Sequence, residues 1–208
     1  MTTDAITLRP LTPDDAEVLA ALLVQLYQAE APGVLYGPIA GQLRLFRHLI
    51  DYEIAGGVCG RYLAVDASGV VVGSASLRSP ARAIEGVIPP GTLQLAFASI
   101  GLGDTLRLLL SALRASLIAE VNLHPGECYI YSVVVDEAAR RRGVGAAMMG
   151  QIEAAARARG ARKALLRVLV VNDTARRLYL RLGYQTISRS PRFLDSLTFP
   201  SELMKKEL

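Results

Sequence analysis

The sequence predicts an α/β chain of the α+β type, a mixed β-sheet with helices on both of its faces. Three observations predict it. Short apolar, β-branched runs alternate along the chain with segments whose apolar residues recur at helical spacing. Glycine and proline punctuate the junctions. The run Arg140-Arg141-Arg142-Gly143-Val144-Gly145 directly follows one strand-like stretch and opens a helix-like one. At 208 residues the chain is expected to form one domain, 1–208, with a substantial core.

Ile6–Arg9 alternates and reads as a strand. Thr12 then caps a helix, with Pro13 at its first position and Asp14 and Asp15 at its positive end. Val18, Leu19, Leu22, Leu23 and Leu26 give that helix a core-facing stripe to about Tyr27. A loop from Ala31-Pro32-Gly33 to Gly37-Pro38 leads to a second helix, Ile39–Ile54, with Leu43, Phe46, Leu49 and Ile50 on one face. Arg61–Asp66 and Val70–Leu77 form a hairpin turning at Ala67-Ser68-Gly69. Residues 78–127 hold Pro89-Pro90-Gly91 and then a Leu-rich helix after Asp104. Tyr129–Val135 is a strand, and Val144–Arg159 a helix with Met148, Ile152 and Ala155 inward and Gly160 as its stop. Ala164–Val171 is a further strand. Asn172 or Asp173 caps a short helix that ends at Gly183, with Ala175, Leu178, Tyr179 and Leu182 at its periodic positions. Two weaker strands, Thr186–Ser190 and Leu197–Met204, complete the pattern.

Composition narrows the function. Hydrophobic residues make up 51% of the chain, which excludes a largely disordered protein. A net charge of +4, with arginines gathered only at 140–142 and 157–162, suits a phosphorylated ligand. A nucleic-acid surface needs more basic residues interleaved with stacking aromatics, so none is expected as partner. Cys59 and Cys128 each sit in an apolar run and read as buried free thiols. His48 and His124 are far apart and form no metal-ligand spacing, so no metal is expected. The start, Met1-Thr2-Thr3-Asp4, lacks a secretory pattern, and the longest apolar run, Leu106–Val121, is interrupted by Arg107, Arg114 and Glu120. A cytoplasmic protein with no membrane partner is the expectation.

The turn at 140–145 has a chemistry of its own. A helix start exposes N–H donors without partners, and the helix dipole adds positive charge there. Glycine keeps side chains clear so that a diphosphate can approach. A Walker loop is excluded because no Gly-Lys-Ser/Thr is present. Gly101-Leu102-Gly103 fails as a dinucleotide fingerprint because Leu106 stands at the third glycine position; these glycines read as helix-start punctuation.

Arg140, Gly143 and Gly145 after Val133-Val134-Val135-Asp136 match a Gln/Arg-x-x-Gly-x-Gly/Ala turn. Asn172, Ala175 and Tyr179, followed by Gly183 and Tyr184, match an Asn-x-x-Ala-x-x-x-Tyr helix at the right distance from it. With the opening Ile6-Thr7-Leu8-Arg9-Pro10-Leu11-Thr12 and Asp15, the chain resembles the GNAT superfamily of acetyl-CoA-dependent N-acetyltransferases. The likeness spans nearly everything except 78–127, which reads as a family-variable insertion with an extra helix.

The resemblance implies a splayed sheet with acetyl-CoA in the V between two parallel strands. It places the backbone of Val133, Val134 and Val135 beside the pantetheine, with the Val135 N–H polarising the thioester carbonyl. It implies that Arg140 and amides of Arg141, Arg142, Gly143, Val144, Gly145 and Ala146 hold the diphosphate. Asn172 would contact the pantetheine arm or an ordered water near it, and Arg176 or Arg177 either reaches the adenosine phosphates or is solvated. Tyr179 matches the tyrosine that protonates or hydrogen-bonds the departing sulfur, the alternative being a core residue with its hydroxyl satisfied. Many family members carry a glutamate as base where Tyr129 stands here. Tyr129, Glu127 and Tyr131 are the candidates, and Tyr129 in a plain packing role is an equal alternative. The acceptor is expected to be a primary amine of a small molecule or peptide, lined by Tyr27, Glu30, Tyr36, Asp51, Glu53 and the stretch 190–195. Asp51 and Glu53 read better as a solvated helix face. A non-catalytic acyl-CoA-binding or sensing protein is the alternative function. Leu106, Leu109, Leu110, Leu113 and Leu117 either cover the cleft, join a homodimer interface or bury against the sheet, the last being preferred.

Overall fold

Each apolar alternation closes into a strand of one seven-stranded sheet. The computed structural model describes residues 6–30, 35, 37–57, 60–80, 88–118 and 121–208. The expectations for Met1–Asp4, Ala31-Pro32-Gly33, Tyr36 and Cys59, and for the side chain of Glu30, lie outside the described residues. In chain order the elements are β1 (Thr7–Pro10), α1 (Ala16–Glu30), α2 (Ile39–Ala55), β2 (Arg61–Val65), β3 (Val71–Arg78) and α3 (Thr92–Ser116). They continue with β4 (Glu127–Val135), α4 (Val144–Ala158), β5 (Lys163–Leu169), α5 (Asp173–Arg181), β6 (Gln185–Arg189) and β7 (Ser201–Glu207). The sheet order is β1-β2-β3-β4-β5-β7-β6. Among the described residues only β4 and β5 run parallel, with α4 as their crossover.

Both sheet faces are covered, as the alternation requires. On one face Met148, Met149 and Ile152 of α4 bury against Tyr62, Ala64, Leu77, Cys128, Ile130 and Leu166. On the other, Leu19, Leu22 and Leu23 of α1 and Phe46 and Ile50 of α2 cover Leu63 and Val134. Cys128 is a buried free thiol, and burial pushes its pKa up to about 12. Buried Glu153 on α4 accepts from Lys206 Nζ at 2.7 Å, tying the helix to β7. Thr12 stands at its cap position ahead of a short turn, Pro13–Asp15. Its N–H and hydroxyl both donate to Asp15, which also receives two bonds from Arg9, at 2.6 and 2.7 Å.

Several expectations are corrected. α3 begins at Thr92, well before Asp104, and breaks at Gly101, whose φ of 82° and ψ of 170° interrupt the helix. Its buried residues are Ala96, Ile100, Thr105 and Ser111. The leucines expected against the sheet point away from it: Leu106, Leu109, Leu110, Leu113 and Leu117 are 42–62% exposed. α3 packs instead on α2, where a Cβ on Gly41 would lie 2.0 Å from the Ser99 carbonyl oxygen. By length and composition alone, α3 is long enough and apolar enough to cross a membrane, which its late expected start had hidden. β7 starts at Ser201, not Leu197, because Pro200 has no N–H for a ladder. Val18 is an exposed position, and Ala156, not the half-buried Ala155, is the fully buried one.

Candidate active site

β4 and β5 pair in parallel from Glu127↔Lys163 to Ile130↔Leu166 and then part. Each keeps its outer neighbour beyond that point: β4 stays with β3 as far as Val135, and β5 with β7 as far as Leu169. A wedge opens between them. The departure coincides with a bulge at Ser132, where φ reaches 49° and the β3 register shifts. The bulge also inverts the side-chain alternation. Cys128 and Ile130 face α4 before it, Val133 and Val135 after it, while Val134 turns to α1. From Tyr131 to Val135, then, β4 has no ladder partner on its β5 side.

α4 starts at the tip of this wedge. Gly143 caps it with φ 82°, a left-handed conformation that glycine adopts without strain. Ala146 and Ala147 both donate to the Gly143 carbonyl. Among the described residues, no carbonyl accepts from the N–H groups of Gly143, Val144 or Gly145. Arg140, Arg141 and Arg142 are exposed beside them, but Arg140 Nε donates to the Val135 carbonyl at 3.1 Å and so braces the end of β4. Gly145 lets three elements meet: a Cβ there would lie 3.3 Å from Leu178 of α5 and 3.6 Å from Val135. Gln25 of α1 fixes the intervening turn, donating to Asp136 and accepting from the Glu137 N–H. Unpaired donors, positive charge and an open strand edge fit a ligand that combines a diphosphate with an amide-bearing arm.

α5 carries the second motif. Asn172 caps it, its side chain accepting from the Ala175 N–H at 3.1 Å. Arg176 pairs with Glu202 of β7 at 2.9 Å, and Arg177 donates to the Asp173 carbonyl. Tyr179 is 7% exposed and meets Tyr184 edge-on at 5.9 Å.

Tyr129 and Tyr131 lie on the opposite side of β4, stacked at 6.2 Å. Burial pushes both phenols above their ordinary pKa, against nearby arginine charges. Arg78 lies 5.3 Å from the Tyr129 ring and Arg61 5.7 Å from that of Tyr131. Arg167 hydrogen-bonds Tyr129 and donates to Ser201 Oγ at 3.1 Å. Glu53 grips Arg61 through two bonds of 2.6 and 3.1 Å. Glu53 therefore belongs to this cluster and not to a solvated helix face, whereas Asp51 pairs with Arg47 on the surface. Glu127 accepts from the His124 N–H and caps the loop before β4. Tyr27 packs on Phe46, and Asp195 pairs with Arg189.

The three arginines escaped the sequence reading because they come from three different strands. The available signal was arginine at strand positions among buried neighbours, as in Leu165-Leu166-Arg167-Val168. No group of three or more metal-ligating side chains forms among the described residues.

Residues 23–184 match the family described as Acetyltransferase (GNAT) family. No curated protein sequence matches the chain. Among solved structures, one described only as an acetyltransferase is 22% identical, with 97% of this chain and 98% of that chain covered and a TM-score of 0.61. A Corynebacterium glutamicum protein, described as histone acetyltransferase HPA2 and related acetyltransferase, is 24% identical (98% and 96% covered, TM-score 0.59). The Salmonella typhimurium protein yncA, solved with its cofactor acetyl-CoA, is 15% identical (98% and 94% covered, TM-score 0.56). At these identities the likeness is one of fold. The sequence match covers most of the chain and includes the wedge, the α4 turn and α5 to Tyr184; the chain belongs to the GNAT acetyltransferase family.

Proposed function

We propose that the protein transfers the acetyl group of acetyl-CoA directly to a primary amine of a small molecule or peptide. The observation that carries this reading is the parting of β4 from β5 beside an α4 start with unpaired N–H donors. Acetyl-CoA, when bound, supplies the activated acetyl group. The Gly143, Val144 and Gly145 amides would hold its diphosphate, and the open edge of β4 at Val133–Val135 would pair with its arm.

The chain's own groups then orient the amine and manage protons. A bound amine beside a bound thioester gains from proximity without a nucleophilic side chain. Tyr179, nearly buried on α5, is the donor to the departing sulfur. With its pKa raised by burial, Tyr129 stays protonated at neutral pH and holds the amine or a bridging water by hydrogen bonding. The test is free-thiol release from acetyl-CoA over a panel of amines, with acetyl-CoA binding measured separately by calorimetry. Thiol release that depends on one class of amine is expected. Tight acetyl-CoA binding with no release from any amine would assign the chain to the sensing role instead.

A further inference from the structure

The acceptor face carries a charge pattern that selects among amines. Resting on the reading above, we infer that the acceptor is an amine that also bears a carboxylate, held by the Arg78 guanidinium beside Tyr129.

The electrostatics lead there first. Among the described residues, the charged groups acting on Tyr129 and Tyr131 are Arg61, Arg78, Arg167 and Glu53. Three cations thus share this face with one carboxylate. That carboxylate is already committed, since Glu53 binds Arg61 through two bonds and holds its pKa above the ordinary value despite burial. The surplus positive charge repels a polyamine or a lysine in a basic peptide and attracts an anionic group.

Arg78 supplies the local geometry. One of its terminal nitrogens donates to the Val121 carbonyl at 3.1 Å. Its Nε is buried and has no partner among the described residues. An orphaned buried guanidinium N–H is costly unless a ligand completes it. A carboxylate is the ligand that a guanidinium fork matches best. The same positive surroundings lower the pKa of a bound ammonium, favouring the neutral nucleophile that transfer requires. Specificity and activation therefore have one source.

The experiment compares each of the twenty amino acids with its C-terminal amide, and with putrescine. Two readouts are used: thiol release from acetyl-CoA, and calorimetric binding to the CoA-loaded protein. An amino acid is expected to bind and react with KM at least about tenfold below that of its amide, equivalent to roughly 1.4 kcal/mol. Arg78→Gln, in protein still folded at assay temperature, should raise the acceptor KM about tenfold or more while leaving the acetyl-CoA KM unchanged. Arg78→Lys, which keeps the charge but not the fork, should fall between. An amide or putrescine used as well as the amino acid overturns the inference and leaves the transfer reaction standing. So does an Arg78→Gln variant with unaltered acceptor KM. Binding of the amino acid over its amide without any thiol release has the opposite meaning: acceptor selectivity stands and the transfer reaction falls.

Discussion

Tyr179 and Tyr129 are both largely buried tyrosines, yet their surroundings differ. Tyr179 packs into the α4-side core with its ring edge-on to Tyr184. Tyr129 sits among arginines on the far face of β4. Tyr179→Phe keeps the ring and its packing and removes only the hydroxyl. We expect kcat to fall about 100-fold, the typical contribution of a positioned proton donor, with acetyl-CoA affinity unchanged. Steady-state kinetics with any accepted amine, beside calorimetry, checks it; full turnover in the phenylalanine variant removes Tyr179 from the chemistry. Asn172 as a cap and Tyr179 as an inward position two turns on were readable because both follow from one helix. Arg61, Arg78 and Arg167 were not, since no local pattern says that three strands bring them to one pair of phenols.

The turn between β4 and α4 was equally legible, because the need for a positive φ at Gly143 is local. Gly143→Val places a β-branched residue in that conformation, at a cost of about 1–3 kcal/mol, and sets methyl groups beside the exposed amides. Acetyl-CoA affinity should drop at least about tenfold, more than the loss in stability alone explains in a protein still folded at assay temperature. Calorimetry on the folded variant tests this, and normal affinity contradicts the phosphate assignment. The bulge at Ser132 was hidden, since serine carries no signature for a φ of 49°. α3 shows the converse failure. Its leucines repeat like a core stripe, but its buried residues are Ala96, Ile100, Thr105 and Ser111, and Ser99 and Ile100 are the ones that meet α2 at Gly41. Small residues there allow the close approach seen at Gly41.

The assembled sheet is held together by polar clamps as well as by its two cores. Asp15 joins the end of β1 to the start of α1, receiving Arg9 and Thr12. The Arg9 hydrogen bonds, aided by those of Thr12, hold its carboxyl well below the ordinary carboxylate range against the opposing effect of burial. A depressed folded-state pKa adds stability that is fully present above the unfolded value and lost as pH falls below it. Asp15→Asn should therefore lower stability at neutral pH by about 1.5–3 kcal/mol, and the difference from wild type should shrink below about pH 4. Denaturant melts at both pH values test the pair; a difference independent of pH contradicts the clamp.

Strand and helix types, the glycine turn and the α5 motif follow from periodicity and backbone demands within a few residues, so the chain's order of letters was enough to read them. The insertion of β7 between β5 and β6, the parting of β4 from β5 and the gathering of three arginines around Tyr129 and Tyr131 arise from contacts between distant segments. Such contacts depend on which apolar faces bury against each other across the whole sheet, and no stretch of sequence carries that choice alone.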